Sequence, residues 1–454
     1  MELILKMLDK IVEFFEFISK CGPIVMMPIM IIIIGIFMGA GIGKSIRGGL
    51  TVGVGIIGLN LSTSLMGFLS AAVGQMSANY NLSLGTIDIG WPAAAAIAIA
   101  TKVGVFIIPV CLLVNIFMIL TRTTQTINID IWNFWHFAFT GSLVAAVTGN
   151  VLLGMIAAVC NEVIVLVLGD ITAPALETTL GMPGVSLPHG FSAAFAPIAL
   201  LCNWIIEKIP GLRDIDFSLE GLKDKIGIFG EPIIVGFVLG LGIGIAAGQN
   251  FQKAMETAIN LAATMVLIPK MAALLMEGLI PISDAASAFV DKHFSGRGQM
   301  YIGLDSAIGV GHPMTITLAL ILVPIALLLA VILPGNTVLP AVDLAVFPFM
   351  FVLILPICKG NGFRSLITGL ICLTAGLYIA TYLAAPTTAV AASINFDMGG
   401  ASSISSICDG ANPLTALLFT IGTLPSPVAY GILIVIAIAF AVYNGIRIRK
   451  IEKA

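Results

Sequence analysis

Asn133, His136 and Thr140 stand three and four residues apart in an otherwise apolar run. At about 100° per residue they fall within roughly 60° of one another, a polar stripe on one helix face. Asp130 lies near the edge of that stripe. A helix capped by Asp130, with His136 bonded inside a bundle, would give the same pattern. His189 sits in Leu187-Pro188-His189-Gly190, also among apolar residues. Pro and Gly beside it free backbone N–H and C=O groups that need partners, and a ligand with many hydroxyls would supply them. Asp305, in Gly303-Leu304-Asp305-Ser306, can accept two hydroxyl hydrogen bonds or cap a helix. Trp91, next to Gly90, can stack on a sugar face or pack at an interface. Asp88 reads equally as a cap. Glu231 precedes Pro232 at a helix start, where the dipole favours a carboxylate. His312 and Asn361 are weaker candidates. The set holds no Arg or Lys clamp for an anion, which favours a neutral, hydroxyl-rich solute.

These residues must be positioned inside a very apolar chain. Of 454 residues, 59% are hydrophobic and 10% charged, and the mean hydropathy is +1.09. Soluble domains carry about 25% charged residues, so a water-soluble enzyme is excluded and a polytopic membrane protein is expected. The net charge of −3 lacks the basic face of a nucleic-acid binder. Apolar runs at 23–42, 50–69, 102–120, 138–168, 232–249, 254–281, 313–333, 338–356, 364–385 and 413–443 are long enough to span. Shorter, Gly- and Pro-broken stretches at 86–100, 183–201 and 299–312 read as re-entrant hairpins. Residues 1–20 read as an amphipathic interfacial helix.

The chain divides into a first repeat (21–206), a polar, cytoplasmic linker (207–229), a second repeat (230–412) and a final span with a basic tail (413–454). Gly22-Pro23 and Gly230-Glu231-Pro232 open the halves. Small residues four apart follow in each: Gly35, Gly39, Gly43, then Gly236, Gly240, Gly244. Ile89-Gly90-Trp91-Pro92 matches Ile302-Gly303-Leu304-Asp305, and Asp130-Ile131-Trp132 matches Asp343-Leu344-Ala345. Inverted repeats with broken helices are the pattern of a transporter. The tail Arg447, Arg449, Lys450, Lys453 belongs in the cytoplasm. Gly53 to Gly58 matches GxGxxG without a strand–turn–helix setting, so helix packing explains it better than a nucleotide. The seven cysteines form no CxxC pair and read as small buried residues. No metal or cofactor is called for.

Several segments together resemble the galactitol-type enzyme IIC permeases of the bacterial phosphotransferase system, within the ascorbate–galactitol superfamily. They are Asp88-Ile89-Gly90-Trp91-Pro92, Asn128 to Asn133, Trp135-His136, Pro188-His189-Gly190, Ile206 to Gly211, Phe229-Gly230-Glu231-Pro232, Ile302 to Asp305, Pro334-Gly335-Asn336 and Gly360-Asn361. The resemblance implies an all-α polytopic fold of about 11 transmembrane helices, with inverted repeats and re-entrant hairpins, working as an elevator-type transporter and a homodimer. By position it implies substrate contacts at Gly90-Trp91, His136 with Thr140, His189 with Gly190, and Asp305. The sequence departs from the ascorbate pattern at Trp91, Thr140 and Gly190, which favours a linear polyol such as galactitol. It further implies a permease in the inner membrane that is not itself an enzyme. A separate IIB, charged by IIA, would hand a phosphoryl group from its phosphocysteine to the solute. A proton- or sodium-coupled secondary transporter of a neutral polyol is the alternative, and a membrane scaffold without a transport cycle a more distant one.

Overall fold

Long apolar stretches in a bilayer must close their backbone hydrogen bonds internally, and helices do so. The computed structural model describes residues 23–64, 67–80, 84–128, 130, 132–215, 231–294, 300–340, 342–396, 398 and 401–452. The expected interfacial helix and most of the linker lie outside these residues. Helices α1 (Pro23–Met38), α2 (Ile42–Ser64) and α3 (Gly67–Asn79) come first. Strand β1 (Thr86–Asp88) leads into α4 (Gly90–Ala100) and α5 (Lys102–Leu120). β2 (Thr126–Asn128) leads into α6 (Asn133–Thr148) and α7 (Val151–Leu180), and β3 (Val185–Ser186) into α8 (Gly190–Ala194) and α9 (Ala196–Lys208).

The second series opens with α10 (Pro232–Ala246) and α11 (Phe251–Phe294). β4 (Tyr301–Gly303) precedes α12 (Ala307–Val310) and α13 (Pro313–Ile332). β5 (Val338–Leu339) precedes a 3-10 turn at Val342–Val346, then α14 (Phe347–Ile357), α15 (Gly362–Tyr382) and α16 (Ala384–Ser393). β6 (Ile404–Ser405) precedes a 3-10 turn at Asp409–Ala411, then α17 (Pro413–Gly422) and α18 (Ser426–Ile451). The chain is mostly helical. Among the described residues, five helices are long and apolar enough to cross a bilayer: α5, α7, α13, α15 and α18.

Several expected spans are broken, among them 338–356, which is divided into β5, a 3-10 turn and α14. The run 138–168 is divided between α6 and α7, because Gly149 adopts a left-handed φ of 68° and Asn150 Oδ1 accepts the Leu153 N–H. The run 413–443 divides between α17 and α18, where Thr423 ends one helix and Pro425 precedes the next. Hydropathy averages across such breaks and does not register them.

The six short strands depart from a purely helical expectation. They form two parallel three-stranded sheets, ordered β5-β1-β6 and β2-β4-β3. Broken helices leave backbone groups unpaired where no water reaches, and these ladders pair them. The registers correspond. Thr86 pairs with Val338 as Tyr301 pairs with Thr126, and Ile87 with Leu339 as Ile302 with Ile127. Ile87 pairs with Ile404 as Ile302 with Val185, and Asp88 with Ser405 as Gly303 with Ser186. Ile87, rather than Ile89, therefore corresponds to Ile302.

Glycine sets the closest helix approaches. A Cβ at Gly236, Gly240 or Gly244 would stand 2.7, 2.6 or 2.8 Å from the Cα of Ala262, Ala258 or Ala254, so α10 lies backbone to backbone on α11. The matching stripe in the first half is not used this way. Gly39 takes a left-handed φ of 87° after α1, and a Cβ at Gly43 would meet open space. A Cβ at Gly141 would stand 2.5 Å from the Gly154 carbonyl oxygen, which brings α6 against α7.

Candidate functional site

Carboxylates fix the ends of the strands. Asp130 accepts the Trp132 N–H at 3.1 Å through Oδ1 and the Asp305 N–H at 2.9 Å through Oδ2. It thereby locks the tip carrying Asp305 to the start of α6. Asp343 accepts the Trp91 N–H at 2.7 Å, and its other oxygen takes Ser406 Oγ–H at 2.6 Å and the Cys408 N–H at 3.1 Å. Asp88 accepts the Gly90 N–H at 3.2 Å and the Asp343 N–H at 2.8 Å. Asp88 is thus engaged as a cap. Gly90 is required by its φ of 79° and by Val342, which a Cβ there would strike.

His136, His189 and Asp305 converge. The Nε2 atoms of the two histidines are 3.1 Å apart, and His189 Nε2 lies 3.6 Å from Asp305 Oδ1. A fourth residue joins them: Asp409 Oδ2 is 2.5 Å from His136 Nδ1. His136 is 1% exposed, His189 4% and Asp409 0%, so these three are closed from solvent, while the Asp305 side chain is 15% exposed. His189 caps α8 by accepting the Ser192 N–H at its Nδ1 (3.2 Å), and its ring stacks 5.7 Å from Phe349. The aromatic wall continues through Trp135, 4.1 Å from the His136 ring, to Trp91, 6.4 Å from Trp135 and 5.9 Å from Trp132. Ring faces beside clustered polar groups suit a solute with hydroxyls on one edge and C–H groups on another.

The remaining candidates divide. Thr140 lies one turn beyond His136, bonded to Thr415 Oγ1 at 2.8 Å and to Asn161 Nδ2 at 2.7 Å. Asn133 donates to Asn128 Oδ1 at 2.8 Å, while its own Oδ1 finds no partner among the described residues. Gly190 packs directly on His136. Glu231 is exposed at the N-cap of α10 and shares no described contact with the cluster. His312 and Asn361 are helix caps, accepting the Met314 and Arg364 N–H groups.

His136, Cys408 and Asp409 offer donor atoms within 4.8 Å of one another. Two ligands of one tetrahedral ion, each about 2.1 Å from it, stand roughly 3.4 Å apart. The 2.5 Å between His136 Nδ1 and Asp409 Oδ2 is well below that and marks a short direct hydrogen bond between them.

Residues 16–401 match the family model described as "PTS system sugar-specific permease component". The chain belongs to this permease family. It is 38% identical over 410 residues to the PTS system galactitol-specific EIIC component of Escherichia coli (strain K12), covering 90% of each chain. The protein of the same name in Escherichia coli O157:H7 matches equally. It is also 37% identical over 440 residues, 97% of this chain and 100% of the other, to an Escherichia coli (strain K12) permease IIC component whose name gives no substrate. This permease is accordingly a multi-pass protein of the bacterial inner membrane.

Sequence reading missed Asp409, Trp132, Trp135, Phe349 and Ser306. Asp409 sits in the Ser- and Gly-rich segment 393–412, where an acid reads as an ordinary loop residue. The signal available was its place in a segment too polar for its apolar surroundings. Trp132 Nε1 and Ser306 Oγ are buried without a partner among the described residues, and each flanks a candidate already named. Gly190→Ala tests how tightly the site is set. The added Cβ would land against His136 Cβ and 2.8 Å from its Cγ. A displacement of about 1 Å can cost roughly 100-fold, so sugar binding by the purified permease should fall on that order. Unchanged binding in a titration would show that the ring has room to move.

Proposed function

We propose that this permease carries galactitol, or a sugar alcohol closely like it, and presents it to a phosphorylated IIB at the cytoplasmic face. The observation that carries the reading is the meeting of His136, His189 and Asp305 from α6, the β3–α8 turn and the β4–α12 turn. The family and the galactitol-specific relatives support it. Two imidazoles and one carboxylate, without a cation, suit hydroxyl groups better than an anion.

The architecture proposed with it is a pair of inverted repeats in about 11 spans, moving as an elevator within a homodimer. The matched strand registers support the repeats. Each half lends its first strand to the other half's sheet. Carried on from these registers without a gap, the correspondence sets Asp305 against Gly90, His136 against Pro348, His189 against Cys408 and Gly190 against Asp409. One symmetric frame thus holds an asymmetric site.

Charge supports the orientation. At one end Arg447 Nη2 bonds the Asp170 carbonyl at 3.2 Å, and Asn444 the Thr123 carbonyl at 3.0 Å. Lys359 and Arg364 gather on Glu207 at 2.7 and 3.2 Å. The Lys359 ammonium holds the Glu207 carboxyl below its ordinary pKa. At the opposite end, where Asn150 meets Tyr430, segments 148–150, 382–383 and 423–425 contain no Lys or Arg. The basic end is therefore taken as cytoplasmic.

The test is transport in reconstituted vesicles. Galactitol phosphate should form only when phosphorylated IIB is supplied. Build-up of unmodified galactitol under a proton or sodium gradient, without IIB, would make the permease a secondary transporter instead.

A further inference from the structure

The hydrogen bonds through the site run in one direction, and backbone N–H groups set that direction at both ends. At one end the Leu414 and Thr415 N–H groups donate to Asn412 Oδ1 at 2.9 and 3.1 Å. The Asn412 amide is thereby oriented, and its Nδ2 donates to Asp409 Oδ1 at 3.0 Å and to the Gly190 carbonyl at 3.0 Å. Asp409 is thus a carboxylate receiving donors on both oxygens. Cys408 Sγ lies 3.9 Å from the Oδ2 that faces His136. A carboxylate that only accepts obliges His136 Nδ1 to carry a proton, and in the neutral ring this leaves a lone pair on His136 Nε2. At the other end the Ser192 N–H donates to His189 Nδ1. With Nδ1 accepting that N–H, the His189 proton sits on Nε2 and points at the His136 lone pair, 3.1 Å away; Ser192 Oγ, also 3.2 Å from Nδ1, gives its own proton to the Phe349 carbonyl at 2.7 Å.

We propose that one hydroxyl of the bound sugar alcohol inserts between these two nitrogens and is the hydroxyl that becomes phosphorylated, with His136 Nε2 as its proton acceptor and Asp409 as the residue that positions and charges the acceptor. This rests on the phosphotransferase reading above. A hydroxyl both accepts and donates, so it fits the junction in one sense: its oxygen takes His189 Nε2–H, and its proton faces His136 Nε2. Two bonds of about 2.8 Å in place of one contact require the nitrogens to part to roughly 5 Å, so loading the site separates α6 from the β3–α8 turn.

The step balances. As the hydroxyl oxygen forms its bond to phosphorus, the phosphorus–sulfur bond of the IIB phosphocysteine breaks, and the thiolate keeps the electron pair. The hydroxyl proton passes to His136, giving an imidazolium whose charge Asp409 offsets. Water on the cytoplasmic side takes the proton after the product leaves. His136 is a catalytic residue in this scheme. Asp409 is a positioning residue, because it acts through His136. The titratable groups facing His136 are Asp409 and Cys408 from the 3-10 turn, His189 from the β3–α8 turn and Asp305 from the β4–α12 turn.

The experiment uses the full-length permease in membrane vesicles, with radiolabelled galactitol as probe and purified phosphorylated IIB. Galactitol binding to Asp409→Asn is measured first without IIB, so that phosphorylation is compared with wild type at saturating galactitol. Single-turnover phosphorylation should fall by roughly 100- to 10,000-fold, the range for a lost proton acceptor. Asp409→Glu, which keeps the carboxylate, should recover part of the rate. A near-normal phosphorylation rate in Asp409→Asn overturns the assignment. If that variant does not fold, a phosphorylation rate near wild type in His136→Gln at saturating galactitol does so. Failure of the wild-type permease to yield any galactitol phosphate would instead sink the phosphotransferase reading on which this one stands.

Discussion

His189→Ala and Asp305→Ala should each lower galactitol affinity by at least about 100-fold. A hydrogen bond to a charged or strongly polar group is worth about 1.5–3 kcal/mol, and 1.4 kcal/mol is a factor of ten. Asp305 can hold two hydroxyls at once. His189 both contacts His136 and caps α8 through the Ser192 N–H. Removing either therefore loses direct contacts and loosens a neighbour. Asp305 is tethered by its own N–H to Asp130, but its Oδ1 also accepts the Ala307 N–H at 2.7 Å, so the substitution removes a turn bond as well as the ligand contact. Equilibrium dialysis of the purified variants against labelled galactitol measures the effect. Affinity within threefold of wild type in either variant would remove that residue from the site.

Asp170→Ala should cost about 3–5 kcal/mol in stability. Asp170 is wholly buried on α7 and accepts four hydrogen bonds. They come from Thr124 Oγ1 at 2.9 Å, the Gln125 N–H at 2.9 Å, Thr126 Oγ1 at 2.6 Å and Asn444 Nδ2 at 2.6 Å. Through them one carboxylate ties the β2 strand and the last helix, α18, to α7. Truncation strands four donors where no water can replace the acceptor, at about 3–5 kcal/mol. A markedly lower unfolding midpoint in detergent is expected. Asp170→Asn, which keeps one acceptor oxygen, should lie between. A midpoint matching wild type in Asp170→Ala would mean that water fills the gap.

Legibility in the sequence followed the range of the interactions. His136, His189 and Asp305 stood out because an ionisable residue in an apolar run is costly and needs a reason. Lys102–Leu120 and Pro313–Ile332 matched their hydropathy runs closely, since span length is a local property. Asp88 could be read as either ligand or cap, and the Gly90 and Asp343 N–H groups occupy both its oxygens. Glu231 followed the same logic of helix starts, but that logic is local and carries no information about distance from His136.

Residue type and spacing were enough to determine that this chain lives in a membrane, that its helices break at Gly- and Pro-rich points, and that a few polar side chains are buried for a purpose. Those features arise from the cost of placing polar groups in lipid, which each segment meets by itself. Only the tertiary structure decided that Asp409, 273 positions from His136, completes the cluster. It alone also decided that β1 pairs with β5 and β6, and β4 with β2 and β3. Such pairings depend on which broken ends find one another after the helices pack, and no local pattern in the chain encodes that choice.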